Sequence, residues 1–299
     1  MQLRPAEQSD IPAIKSLSEG IWGGGDYLPR IIADWINEGG VYVGLVDENI
    51  VGVSRIHKLA DEEWWLEGLR IAVAHQGHGY GRELHNHTLE ELKRIGKGTV
   101  RFASADTNHS IPPALKSGFH EILRLPFAFA ELANHHTVKH PWLTVLEQYQ
   151  VSISHETTLG VKELLQAACQ TDYCGLIRNG WEFYSYNQER LNSWLAQGIV
   201  LTTGGKGGVT ATAVLSTDYE RPNNWDLNML AGDETAIRQQ IIPSLVAAAM
   251  LQPERYDALY ACVPARYHNS LLSAGFQSAD FFSYQIVFEA EIAQLVPAY

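Results

Sequence analysis

Cysteine, positive charge and long apolar runs are what this chain has least of, and each scarcity excludes something. Cys169, Cys174 and Cys262 are too few and too unevenly spaced for a disulfide framework, which points to a reducing compartment. Lys and Arg number 22 against 34 Asp and Glu, a net charge of −12 that repels polyanions and disfavours nucleic acid as a partner. No stretch approaches the roughly 18 uninterrupted apolar residues of a membrane-spanning helix. The first segment, "MQLRPAEQSD", has no apolar core of a secretory signal. The expectation is a cytoplasmic protein without a membrane partner. What is present is ordinary globular material: 299 residues, 45% hydrophobic and 19% charged, about two domains in length.

Periodicity gives the first half a definite order of elements. A short strand around Leu3 precedes "SDIPAIKSLSEGIW", a helix with Ser9 or Asp10 at its N-cap and Pro12 in its first turn. "YLPRIIADWINEGG" is a second helix, "GVYVGLVDENIVGVSRIHK" a hairpin turning at Asp47 to Asn49, and "WWLEGLRIAV" a strand. In "RELHNHTLEELKRI", Leu84, Thr88, Leu92 and Ile95 share one helical stripe. A strand, a short helix near 110–117 and a further strand complete the order β, α, α, β, β, β, loop, α, β, α, β. "NHHTVKHPWLTVLEQYQ" reads as a connection. Beyond it a similar order follows, from "TLGVKELLQAAC" through "WDLNML" to a final strand in "FQSADFFSYQIVF". The expected domains are 1–148 and 149–299.

Between the third hairpin strand and the long helix lies Gln76-Gly77-His78-Gly79-Tyr80-Gly81. A strand-to-helix turn without Cβ atoms lets backbone N–H groups converge on an anion, and the helix start adds its own unpaired donors and partial positive charge. That is a phosphate cradle, to which Arg82 can add a fixed charge. A plain turn is the competing explanation, although three alternating glycines exceed what a turn needs. The dinucleotide fingerprint does not match, since it needs a different glycine spacing and an acidic residue where Arg101 stands, and the Walker pattern is absent.

With Leu69-Arg70-Ile71 just upstream, this stretch resembles the central motif of the GCN5-related N-acetyltransferase (GNAT) superfamily. Asn108 and Gly118-Phe119 resemble that family's later landmarks. The resemblance implies an α/β (α+β) fold: two tandem GNAT-like domains, each a mixed, mostly antiparallel twisted sheet flanked by helices. It implies acetyl-CoA as cofactor, with the amides from Gln76 to Arg82 on its pyrophosphate, the backbone of Leu69, Arg70 and Ile71 along its pantetheine arm, and Asn108 nearby. In the second half Gly275-Phe276 recurs, but "WDLNMLAG" runs into Asp233 and Glu234, acidic residues that repel phosphate at a helix start. The expectation is one acetyl-CoA-binding domain followed by a degenerate copy. "EGLR" also resembles the corresponding segment of amino-acid N-acetyltransferases of the histidine-acetylating group.

An ammonium cannot attack a thioester until it loses a proton, and a carboxylate acting directly or through water can take it. Glu67 is the candidate, with "WWLEGL" supplying apolar neighbours that raise a carboxyl pKa; the alternative is a structural ion pair with Arg70 or Arg55. The tyrosine that many family members carry four residues before the Gly-Phe glycine is Ala114 here, and Pro112 and Pro113 are expected to displace the start of that helix. His109, Ser110 and Tyr80 are the other proton donors at hand. Trp22, Asp26 and Tyr27 lie on the glycine-rich link between the first two helices, where Asp26 can hold a substrate ammonium and the rings can stack on its side chain; Trp22 as plain core is the alternative. His85 and His87 face different sides of their helix, His135, His136 and His140 lack metal-ligand company, and no metal is expected. The function these readings converge on is acetyl transfer to a primary amine of a small molecule, with an amino acid as one candidate. The alternatives are a non-catalytic acyl-CoA sensor and a tandem aminoacyl-tRNA enzyme, the last disfavoured by the net charge.

Overall fold

A computed structural model describes residues 1–132, 142–154, 158–205, 207–217, 223–251 and 257–299. The elements are β1 (Gln2–Pro5), α1 (Ile11–Leu17), α2 (Leu28–Glu38), β2 (Val41–Val46), β3 (Asn49–Ala60), β4 (Glu63–Ile71), α3 (Tyr80–Ile95), β5 (Thr99–Ala105), α4 (Ile111–Lys116) and β6 (His120–Glu131). There follow α5 (Trp142–Gln148), β7 (Val151–Ser154), α6 (Leu159–Asp172), β8 (Leu176–Asn179), β9 (Glu182–Ser185), α7 (Gln188–Leu195), β10 (Ile199–Gly205), β11 (Gly208–Thr217) and β12 (Asn224–Gly232). The last are α8 (Glu234–Ala236), a π-helical turn over Ile237–Ile241, α9 (Ile242–Met250), β13 (Ala258–Cys262), α10 (Ala265–Ser273) and β14 (Tyr284–Glu291). The histidines expected to be plain loop, His135, His136 and His140, lie outside the described residues.

Two compact units form. The first contains Met1–Ser104, Asn108–Ile122 and Val287–Tyr299; the second contains Ala105–Thr107 and Leu123–Ile286. This differs from a single cut after residue 148, because the stretch from Leu123 groups with the second unit and the last residues group with the first. "FQSADFFSYQIVF" is not one strand: β14 begins at Tyr284, and Gln277 makes only an isolated bridge to Phe129.

In the first unit β1, β2, β3 and β4 pair antiparallel in sequence order, and β5 joins β4 in parallel. The β2–β3 hairpin turns at Asp47 and Glu48, both left-handed. Ile14, Leu28, Ile32 and Trp35 of α1 and α2 pack on Val43 and Val53. On α3, Leu84, Thr88 and Leu92 are buried as the stripe requires, whereas Ile95, in the last turn, is exposed. Residues 292–299 lie across α3 and α4: Asn86 exchanges hydrogen bonds with the backbone of Ala298, and the Val296 amide donates to Ser117 O at 3.1 Å. Pro112 and Pro113 do not displace α4, which begins at Ile111 with both prolines in its first turn, where no amide is needed.

The second unit repeats the plan. β10, β11 and β12 pair antiparallel, β13 joins β12 in parallel, and the unit's own stretch of β6 runs antiparallel to β13. Its core includes Leu227, Leu230, Ile241, Leu245 and Leu259. The β8–β9 hairpin stands apart as a two-stranded sheet.

Candidate acyl-donor and acceptor site

The site grows out of two irregularities of β4. Its parallel register with β5 covers only Glu63–Thr99, Trp64–Val100 and Trp65–Arg101, after which the two strands are no longer ladder partners. Against β3, Val53 pairs with Arg70 but Arg55 with Glu67, a β-bulge centred on Gly68 and Leu69. Gly68 is left-handed (φ 69°), and a Cβ there would lie 2.7 Å from Trp35 Cζ3, so only glycine fits. In a regular strand residues 67 and 70 face opposite sides. The bulge shifts that parity, and both side chains reach toward α2 and the link before it. A lone glycine inside a strand pattern was the signal for this bulge.

Beyond β4 the glycine loop is exposed from Gln76 to Gly79. Gly77 (φ 79°) and Gly79 (φ 85°) are left-handed, and a Cβ at either would meet no atom within 4 Å, so the loop faces open space. Gly79 is the N-cap of α3. The Gln76 side chain ties the loop to Ile71 O at 3.1 Å, His78 Nδ1 lies 2.9 Å from Gln76 O, and the His78 ring stacks on Tyr80. Among the described residues, no amide from Gly77 to Arg82 donates a hydrogen bond; the ladder of α3 begins with Glu83 N–H to Gly79 O at 3.1 Å. Arg82 is exposed beside them. Farther back, on β5 beyond its last pair with β4, the Ser104 hydroxyl is buried without a partner among the described residues. Asn108 Oδ1 accepts from the Ser110 amide at 3.0 Å, so that oxygen closes its own turn ahead of α4.

Glu67 does not sit among purely apolar groups, contrary to the reading of "WWLEGL". Its Oε1 accepts from Arg55 Nη1 at 2.9 Å and lies 3.6 Å from His57 Nδ1. Arg55 also binds Glu38 and stacks over Trp35. Of the two arginines named from sequence, Arg55 is the partner, because the hairpin register sets it opposite. Arg70 instead donates to both oxygens of Asp26, at 3.1 and 3.3 Å, and its guanidinium lies 4.4 Å from the Trp22 ring centroid and 5.1 Å from that of Tyr27. Burial opposes its charge, but Tyr27 and Asp26 outweigh burial and hold its pKa above the ordinary guanidinium value. Asp26, engaged by Arg70 and by the Leu28 amide, is therefore an internal anchor and not an open receptor for a substrate ammonium. Tyr27 is buried, and Trp22 is exposed and not core.

Ala114 is buried at the place where a tyrosine hydroxyl was sought. Nearby, in an arrangement that sequence spacing did not indicate, His85 Nε2 lies 2.9 Å from Ser117 Oγ, while His87 is half-exposed beside Glu90. Burial pushes the His85 pKa down from 6.5 to about 4. The unfolded chain then takes up a proton that the folded state refuses, so the His85 contribution is complete above pH 6.5 and is lost as pH falls toward 4, in all about 3 kcal/mol. Chemical denaturation at pH 7.5 and pH 4.5 is expected to show this loss, and His85→Gln, which keeps a hydrogen-bonding group for Ser117, to reduce it.

The second unit has the same skeleton with its openings closed. β12 and β13 also part, after Leu227–Ala261, and β12 bulges against β11 at Asn228. There Arg178 fills the gap, donating to Leu227 O at 2.9 Å, Asn228 Oδ1 at 3.1 Å, Asp226 Oδ1 at 3.2 Å and Gln285 Oε1 at 2.9 Å. At the following helix start the Asp233 carboxylate accepts the Ala236 amide at 2.8 Å, so a built-in anion stands where the first unit presents free donors.

This geometry is that of an acyltransferase fold of the GNAT type, and comparison with known proteins agrees. Residues 12–119 match the Acetyltransferase (GNAT) family. A histidine N-acetyltransferase from Xenopus tropicalis is 34% identical over 91 residues, which is 29% of this chain and 28% of that protein. A protein from Thermoplasma acidophilum, provisionally classed as an acetyltransferase, superposes with a TM-score of 0.64 at 17% identity over 97% of this chain and all of that one. A tandem GNAT protein from the clavulanic acid biosynthesis pathway does so at 0.59 and 11% identity, over 97% and 98%. These structures share the fold of the whole chain. Among the described residues, no helix is long and apolar enough to cross a membrane.

Proposed function

We propose that the protein moves an acetyl group from acetyl-CoA to the primary amine of a small molecule, an amino acid with histidine as the first candidate. The observation that carries this reading is the row of amides from Gly77 to Arg82, unpartnered among the described residues, at the head of α3, directly beyond the bulged end of β4 that has parted from β5. The residues fit the cofactor on their own terms. Donors converge without side chains in the way, Arg82 adds charge, and Ser104 offers a hydroxyl in need of a partner. When bound, acetyl-CoA supplies the activated acyl thioester. Gly77 to Arg82 hold its phosphates, and the backbone of Leu69 to Ile71 runs along its arm. Glu67, on the strand just before, accepts the ammonium proton directly or through water, with the Arg55 hydrogen bond fixing its position. The acetyltransferase relative named for histidine supports an amino acid as acceptor. The second unit, with Asp233 and Arg178 in the corresponding places, serves as a copy without donor binding.

Thiol release from acetyl-CoA across a panel of amines, histidine first, tests the reading. Turnover is expected, and Glu67→Gln is expected to lower kcat by about 10²- to 10⁴-fold, the usual worth of a general base, with little change in acetyl-CoA affinity. The Arg55 ion pair and the missing hydroxyl at Ala114 favour the second reading, an acyl-CoA sensor; acetyl-CoA binding without thiol release from any amine would establish it.

A further inference from the structure

We propose that Trp22 is a stacking platform for the acceptor, so that the preferred amine carries a planar side chain: an imidazole, phenyl or indole ring. This rests on the acetyl-transfer reading and names the substrate class for the same site. Trp22 is 58% exposed, while Ile21, Asp26 and Tyr27 around it are buried. Its backbone is left-handed (φ 49°, ψ 41°), which a bulky residue rarely adopts, and Gly20, Gly23 and Gly24 around it are left-handed as well. Burial does not repay that conformation, because the ring is not buried. What holds the ring is Arg70, whose guanidinium lies 4.4 Å from its centroid and is itself locked by both oxygens of buried Asp26. A large ring is thus fixed against a rigid cation while much of its surface is left to solvent. Strained backbone held in place by its surroundings is characteristic of binding sites. The location agrees, because the bulge at Gly68 and Leu69 sends the side chain of Arg70, which carries Trp22, to the same side of β4 as that of Glu67. A flat, well-anchored indole gains most from a flat partner through stacking and shared apolar area, and little from a branched or flexible chain.

The test compares histidine, phenylalanine and tryptophan with leucine and lysine as acceptors, for wild type, Trp22→Ala and Trp22→Phe. In Trp22→Ala the ratio of kcat/KM for histidine to that for leucine is expected to fall about tenfold, the worth of one aromatic stack with its buried area, and Trp22→Phe is expected to recover most of it. An equal loss on planar and non-planar acceptors would mean that Trp22 only supports the link, and would overturn the proposal, as would a preference for lysine. Saturation-transfer NMR on the acceptor's ring protons separates this from the wider reading. If wild type saturates those protons, Trp22→Ala does not, and no amine releases thiol, the platform stands and the transferase reading fails. If wild type turns over amines but transfers no saturation to any of the three rings, the platform fails alone.

Discussion

Gly79→Glu is expected to bind acetyl-CoA at least 100-fold more weakly than wild type, on the order of two charge-assisted hydrogen bonds at about 1.5 to 3 kcal/mol each. The substitution has room, because a Cβ at Gly79 meets no atom within 4 Å. Its cost to folding is therefore the left-handed backbone alone (φ 85°), about 1 to 2 kcal/mol. Its cost to binding is larger: the new carboxylate stands among the Gly77 to Arg82 amides, competes for their hydrogens and repels phosphate. The second unit already shows this arrangement, with Asp233 capping the Ala236 amide. Gly79→Ala carries the same backbone cost without the charge and is expected to lose far less affinity. Isothermal titration of the three proteins, with thermal melts beside it, separates the contributions. Equal binding by wild type and Gly79→Glu would remove the loop from the donor site.

Arg178→Ala is expected to destabilise the second unit by roughly 3 to 5 kcal/mol, the usual cost of removing one partner from a buried ion pair. The Arg178 side chain is 1% exposed and that of Asp226 3%. Its donors serve Asp226, Asn228, Gln285 and Leu227 O together. Removing it strips a carboxylate and two amide side chains of a common donor in a place water does not reach. The double replacement Arg178→Met with Asp226→Asn deletes both charges, so its cost is expected to fall well below the sum of the single replacements. Urea denaturation of the four proteins gives this cycle. Strict additivity would mean that the two groups do not depend on one another.

The first half was legible because its information is local. The order from β1 to β6, the Asp47–Glu48 turn, the α3 stripe and the glycine loop follow from spacing, and α4 failed only in the treatment of Pro112 and Pro113, which its first turn accepts. The carboxylate at the start of α8 was legible too, since Asp233 acts within its own helix start. Two further features carry a local sign in the sequence. Asn179-Gly180 is a hairpin signal between β8 and β9, and Gly68 is a bulge signal in β4.

Sequence by itself determined the class of elements, the naked backbone between β4 and α3, and the residue types available for proton transfer, because backbone torsions and side-chain chemistry belong to each residue and its near neighbours. Only the tertiary structure decided which arginine meets Glu67, that Asp26 is spent on Arg70 and cannot receive an ammonium, and that Trp22 is held open on a guanidinium 48 positions away along the chain. It also decided that residues 287–299 complete the first unit. The reason is physical: a charged or aromatic side chain takes whichever partner the register and the bulge bring within a few ångströms, and a shift of one residue in β4 is enough to exchange those partners.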